Sequence, residues 1–141
     1  NEDYVLVNET GMGRVHRLWL KGDKAGQRDI FADELPGTPD NIRFDGEGTF
    51  WIAMPSLRAD LDILASLPRL RALLSFLPIS ILEAAAQPGS FVIGVNLEGE
   101  IIHNLQDQDN PFHYITGVTP CGNNLYLGSL QTEAIGVLPT P

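Results

Sequence analysis

The spacing of three similar strand openings limits this chain more than any other feature. Tyr4-Val5-Leu6-Val7, Phe50-Trp51-Ile52-Ala53 and Leu125-Tyr126-Leu127-Gly128 each follow an acidic or Gly/Asn turn and lead with large apolar residues. The first two are offset by 46 residues and the last two by 75. Removing the 28 residues of a helix-like stretch at 59–86 brings the second offset to 47. One period repeated, with an insertion in one copy, is what stacked four-stranded propeller blades produce. A β-sandwich whose strands share the spacing by accident is the alternative.

Between these openings the pattern is β throughout. YVLVNE, RVHRLWL, RDIFAD, NIRFD, TFWIAM, FVIGVNL, EIIHNL, YITGV, LYLGSL and AIGVL are short segments rich in β-branched and aromatic residues. Gly, Pro, Asn and Asp separate them, which predicts an antiparallel all-β fold of ten strands. Read as blades, residues 1–34 are the end of one, 35–107 a complete one carrying the insert, and 108–141 an incomplete last one. About three blades make a partial ring. Its two ends would expose unpaired edges and apolar faces, to be covered either by further chain of a longer protein or, the favoured expectation, by another copy in a homo-oligomer joined through blade edges.

The segment 60–86 does not read as a membrane span, because Pro68, Arg69, Arg71 and Pro78 interrupt it. Leu67, Leu70, Leu73, Leu74 and Leu77 recur at helical spacing, which predicts short helices packed on the body of the protein rather than lying on a membrane. The formal charge of −9 argues against nucleic acid, whose phosphates would be repelled. Cys121 is the only cysteine, so no disulfide can close within the chain. The acidic start NEDYVLVNET lacks the basic region of a signal peptide and has no initial methionine; the expectation is a fragment, with its compartment open.

Two longer motifs then stand out. Glu9, Thr10, Arg14, Val15, Arg17, Leu18, Trp19, Leu20, Lys21 and Gly22 form one; Leu35, Pro36, Gly37, Pro39, Asp40, Asn41 and Ile42, followed by the strand at Phe50-Trp51, form the other. In these, in the insert and in YITGVTPCGNNLYLGSLQTEAIGVL, the chain resembles the strictosidine synthase-like family of six-bladed β-propellers. The likeness covers the C-terminal half of that fold and implies a partial six-bladed propeller. In the calcium-dependent arylesterases and lactonases related to this family, an Asp-Asn pair at this place binds a metal in the central channel. The resemblance therefore implies Asp40 and Asn41 as metal residues, Ca²⁺ as the cofactor, and a small ester or lactone as substrate.

Physical chemistry allows that role, since carboxylate and amide oxygens are the hard donors Ca²⁺ takes. Two constraints accompany it. Adjacent strand residues point to opposite faces, so both reach one ion only if Pro39 leaves them in a turn, and Asp or Asn after Pro also closes turns on its own account. The resemblance also locates the true synthase's acid/base glutamate at Thr116, beside Gly117. Neither residue exchanges a proton in the useful pH range, so strictosidine synthesis is not expected. Among the three histidines His113, just before an inner strand, is the candidate base. Glu9 and Arg14 read as a locking ion pair, and Trp19 and Trp51 as packing between sheets.

Overall fold

The computed structural model describes residues 2–58, 69, 72, 76, 88–107 and 112–141. Ten strands stand among them: β1 Tyr4–Glu9, β2 Arg14–Trp19, β3 Arg28–Ala32, β4 Ile42–Phe44, β5 Phe50–Ser56, β6 Pro88–Val95, β7 Ile101–Gln106, β8 Ile115–Cys121, β9 Asn124–Ser129 and β10 Gly136–Pro139. All ten sequence segments are strands. The helices expected over 59–86 lie, three isolated positions apart, outside the described residues.

The strands form three antiparallel sheets, ordered β1-β2-β3, β4-β5-β6-β7 and β10-β9-β8. This is a partial β-propeller, with the four-stranded sheet in the middle. β5 and β6 have apolar side chains on both faces because both faces are covered. Ile52, Met54, Phe91, Ile93 and Val95 pack with Val15, Phe31, Ala32 and Leu35 from the first sheet and the loop after it. Trp51, Ala53 and Val92 face the other way, onto Ile115, Val118, Leu125 and Leu127 of the last sheet. At about 1.5–3 kcal/mol for each large side chain taken from water, these two interfaces hold the sheets together.

Trp51 is buried as its composition suggested, and a glycine makes the fit. Trp51 pairs with Gly94 and Gly94 with His103, so the three share one sheet face. A Cβ at Gly94 would stand 3.0 Å from the His103 ring. Without one, the indole stacks on that imidazole, centroids 5.3 Å apart and 18° from parallel. Trp19 departs from expectation. It is only half-buried, because Arg17 occupies its face at 4.5 Å while gripping Asp29 through two bonds of 3.0 and 2.9 Å. The Trp19 indole N–H also donates to Asp29, at 3.1 Å.

Candidate functional site

The three sheets meet at the loop that contains Asp40 and Asn41. Its course is set upstream by Gly37, which forms an isolated antiparallel bridge with Leu57. A Cβ on Gly37 would lie 2.4 Å from the Phe91 ring and 2.5 Å from the Ser56 carbonyl oxygen, so only glycine fits there. Thr38 then donates its backbone N–H to the Ser56 carbonyl at 3.0 Å, and its hydroxyl meets the Ser56 hydroxyl at 2.8 Å. Pro39 is fully buried. The chain thus reaches Asp40 already anchored to the end of β5.

From there the backbone groups of the pair reach all three sheets, two of them meeting Ala53 of the middle one. The Asp40 N–H donates to the Ala53 carbonyl of β5 at 3.0 Å, and the Asp40 carbonyl accepts from the Asn8 side chain of β1. The Asn41 N–H donates to the Thr116 carbonyl of β8 at 3.3 Å, and the Asn41 carbonyl accepts from Ala53 at 3.0 Å. The Asn41 side-chain Nδ2 adds a second bond to Thr116 O, at 2.6 Å. Two consecutive residues therefore tie first, middle and last sheets together. The backbone groups of the pair point to different sides of the loop, which is what makes this possible.

The first sheet supports the same loop. Glu9 Oε2 accepts from Arg14 Nε at 2.6 Å and lies 2.7 Å from His16 Nε2. These bonds, Arg14 first and His16 second, hold the Glu9 carboxyl below the usual carboxylate range. Glu9 and Arg14 thus form the expected ion pair, with His16 as a third member. The tight turn they flank lets Thr10 donate its hydroxyl to the Pro39 carbonyl at 2.8 Å. Gly13, at φ 62°, accepts from Leu35 N–H through its carbonyl at 2.9 Å, in the left-handed region that glycine adopts without strain.

The Asp40 carboxylate is exposed and has no partner among the described residues. One oxygen beside the pair was not foreseen from the sequence. Asn8 Oδ1 is buried without a hydrogen-bond partner among the described residues, while its Nδ2 donates to the Asp40 carbonyl. No periodicity marked Asn8, since a polar residue near a strand end is ordinary. Asp40, Asn41 and Asn8 offer donors of the type Ca²⁺ takes, though fewer than its six to eight oxygens. Among the described residues no three His, Cys, Asp or Glu side chains gather in a metal-holding group.

Thr116 reaches the site through its carbonyl, and no ionisable side chain stands at 116 or 117. His113 is half-buried two residues before β8, where its carbonyl accepts from the Ser129 hydroxyl at 2.5 Å. Its Nδ1 is buried without a partner among the described residues, and no hydrogen bond among them joins its ring to Asp40 or Asn41. Cys121 is exposed. Two cavities flank β8. A polar cleft of about 400 Å³ lies between β4 and β8, and an apolar groove of about 730 Å³ lies between β7 and β10 over Val92, Leu105, Phe112 and Leu127. No helix among the described residues is long and apolar enough to cross a membrane.

No family model matches the chain. Curated proteins do. Adipocyte plasma membrane-associated protein of Gallus gallus is 31% identical over 95% of this chain and 34% of its own length. The Rattus norvegicus protein of the same name is 32% identical, over 95% of this chain and 38% of its own length. Protein STRICTOSIDINE SYNTHASE-LIKE 10 of Arabidopsis thaliana is 34% identical, over 97% of this chain and 38% of its own length. The chain spans about a third of the length of the curated relatives it matches.

Proposed function

The chain belongs to the strictosidine synthase-like family, and on that premise we propose that it is one arc of a channelled propeller that hydrolyses a small ester or lactone. The observation that carries this reading is the Asp40–Asn41 junction. It holds an unpaired carboxylate at the mouth of an inner strand and locks it with bonds to all three sheets. A junction bound so tightly keeps its oxygens in place as substrate arrives, which is the preorganisation catalysis requires. Strictosidine synthesis falls away on the same reading, because Thr116 and Gly117 offer no proton donor where the synthase has its glutamate.

Asp40, Asn41 and Asn8 are the residues that would hold Ca²⁺, and the rest of its shell would come from outside this arc. Bound there, the ion would supply polarisation of the ester carbonyl and a more acidic water. The chain's own part is positional. Thr116 O orients the Asn41 amide through Nδ2, and Asn8 fixes the Asp40 backbone. His113 is the candidate base, whose ring nitrogen would take a proton from water. Calcium should raise the melting temperature of the chain, and Asp40→Asn should abolish that rise without lowering the melting temperature in chelator. A calcium response equal in parent and D40N would remove the site, and absence of calcium-dependent hydrolysis of phenyl acetate or a γ-lactone would remove the activity.

A second reading rests on the end sheets. The first sheet exposes Val7, Leu18 and Ile30 on one face, and the last sheet exposes Tyr126 and Val137. Faces like these are covered inside the middle of the arc. The chain would then act as an assembly module that joins a second copy through its open faces and edges. Light scattering with calcium and with chelator separates the readings: a calcium-independent dimer without hydrolysis favours assembly, and a monomer in both conditions refutes it.

A further inference from the structure

The middle sheet is covered unequally on its two faces near β7. On one face Phe31 and Ala32 of β3 pack with Phe91, Ile93 and Val95 of β6. The Phe31 carbonyl comes so near the turn between β6 and β7 that a Cβ at Gly99 would stand 1.8 Å from its oxygen. On the other face the cross-strand partners Val92 and Leu105 look toward the last sheet, but among the described residues no strand of that sheet lies beyond β10. The apolar groove of about 730 Å³ occupies that place, with Phe112, Leu127 and Leu138 opposite and Asp107 in its lining.

The edge of β10 that borders the groove is open. Thr140 N–H donates to the Asn123 carbonyl at 2.9 Å, and the register runs on with Leu138 opposite Leu125 and Gly136 opposite Leu127. Hydrogen-bonded and non-hydrogen-bonded pairs alternate along antiparallel strands. Thr140, Leu138 and Gly136 therefore turn their backbone groups to β9, while Val137 turns its N–H and C=O outward, where neither has a partner among the described residues. Pro139 also faces outward, and with no N–H it limits how far pairing can run.

We propose that this edge and groove form a strand-addition site, which takes one extended segment of another polypeptide antiparallel to β10. The residue opposite Val137 exchanges two N–H···O bonds with it. Its two neighbours, opposite Gly136 and Leu138, point their side chains into the groove over Val92 and Leu105. An apolar–polar–apolar alternation fits, because Val137 lies on the open face, 56% exposed. The occupant is a strand because a strand, β3, fills the corresponding place on the opposite face, and because the groove continues the interface that already joins middle and last sheets. Acidic residues outnumber basic ones by 18 to 9, which favours a segment with basic ends. The site does not include the Asp40–Asn41 junction and stands apart from the hydrolase reading.

The test is fluorescence anisotropy of a fluorescein-labelled peptide, KTVTVTK, titrated with the full chain. Saturable binding of one peptide per chain is expected. N-methylating the central threonine removes its bond to the Val137 carbonyl and sets a methyl against the edge, with both valines unchanged; it should weaken binding about tenfold or more. Replacing both valines with serine should do the same. In the protein, Leu105→Glu places a charge in the groove and should abolish binding. Ile30→Glu, at an exposed position of the first sheet, should leave it within about twofold, with circular dichroism checking that each variant is folded. Absence of saturable binding by the folded chain, equal binding of the N-methylated peptide, or equal weakening by L105E and I30E overturns the proposal. A dimer in light scattering that the peptide neither binds nor dissociates would make the occupant a second copy of the chain, and overturns it as well.

Discussion

Replacing Gly37 with alanine tests whether the Asp40–Asn41 junction is held as described. The new methyl would lie 2.4 Å from Phe91 Cζ and 2.5 Å from Ser56 O, so something must move by about an ångström to restore ordinary contact. Phe91 is only 2% exposed within the core between first and middle sheets, and its ring has no free volume to enter. Moving the Ser56 carbonyl instead breaks the bond it accepts from Thr38 N–H. Overpacking costs about 1–3 kcal/mol and the lost bond about 1 kcal/mol. Stiffening of the unfolded chain returns about 0.4–1 kcal/mol. The net is a loss of about 1–3.5 kcal/mol, or roughly 3–14 °C in melting temperature for a chain of this size. Scanning calorimetry of Gly37→Ala beside Gly11→Ala reads it directly, since no atom stands within 4 Å of a Cβ at Gly11. If G37A melts within about 2 °C of the parent while G11A does the same, the packing of residues 35–40 argued above is wrong.

Three further outcomes follow from the same contacts. Asn41→Ala removes the side-chain bond to Thr116 O and should cost about 1 kcal/mol; an unchanged denaturant midpoint would show that this bond does not hold the last sheet. Arg17→Lys keeps the charge but loses the fork onto Asp29 and the stacking on Trp19, a loss of about 1 kcal/mol once the partial exposure of Asp29 is allowed for, seen as a lower melting temperature. Asp45 is pushed up by burial but held lower overall by the backbone amides of Glu47, Thr49 and Gly48. Its folded pKa is below its unfolded one, so its stabilising effect is complete above about pH 4 and is lost as pH falls through the folded value. The gap in melting temperature between parent and Asp45→Asn should therefore be widest at neutral pH and close in acid; a gap constant from pH 7 to pH 3 would refute this.

The β character, the ten strands and their propeller-like period were legible in sequence because they depend on local pattern. Alternating or continuous apolar runs, bounded by Gly, Pro, Asn and Asp, report how each segment is covered. The double burial of β5 is written in Trp51-Ile52-Ala53-Met54, four apolar residues without a polar break. The Asp-Asn pair after Pro39 was also visible as oxygen-rich side chains at the mouth of an apolar strand, β4. What no local pattern contains is where the pair's bonds go. Asn8, Ala53 and Thr116 lie 32, 13 and 76 residues from Asp40, and only the assembled sheets bring them to it. The half-exposure of Trp19 likewise depended on Arg17 meeting Asp29, its opposite number on the neighbouring strand β3. Sequence alone determined which segments are strands and which faces are apolar, since burial acts residue by residue. The tertiary structure decided which polar atoms are satisfied and which are left free to act, because hydrogen bonds require partners at set distances and angles that chain order does not supply.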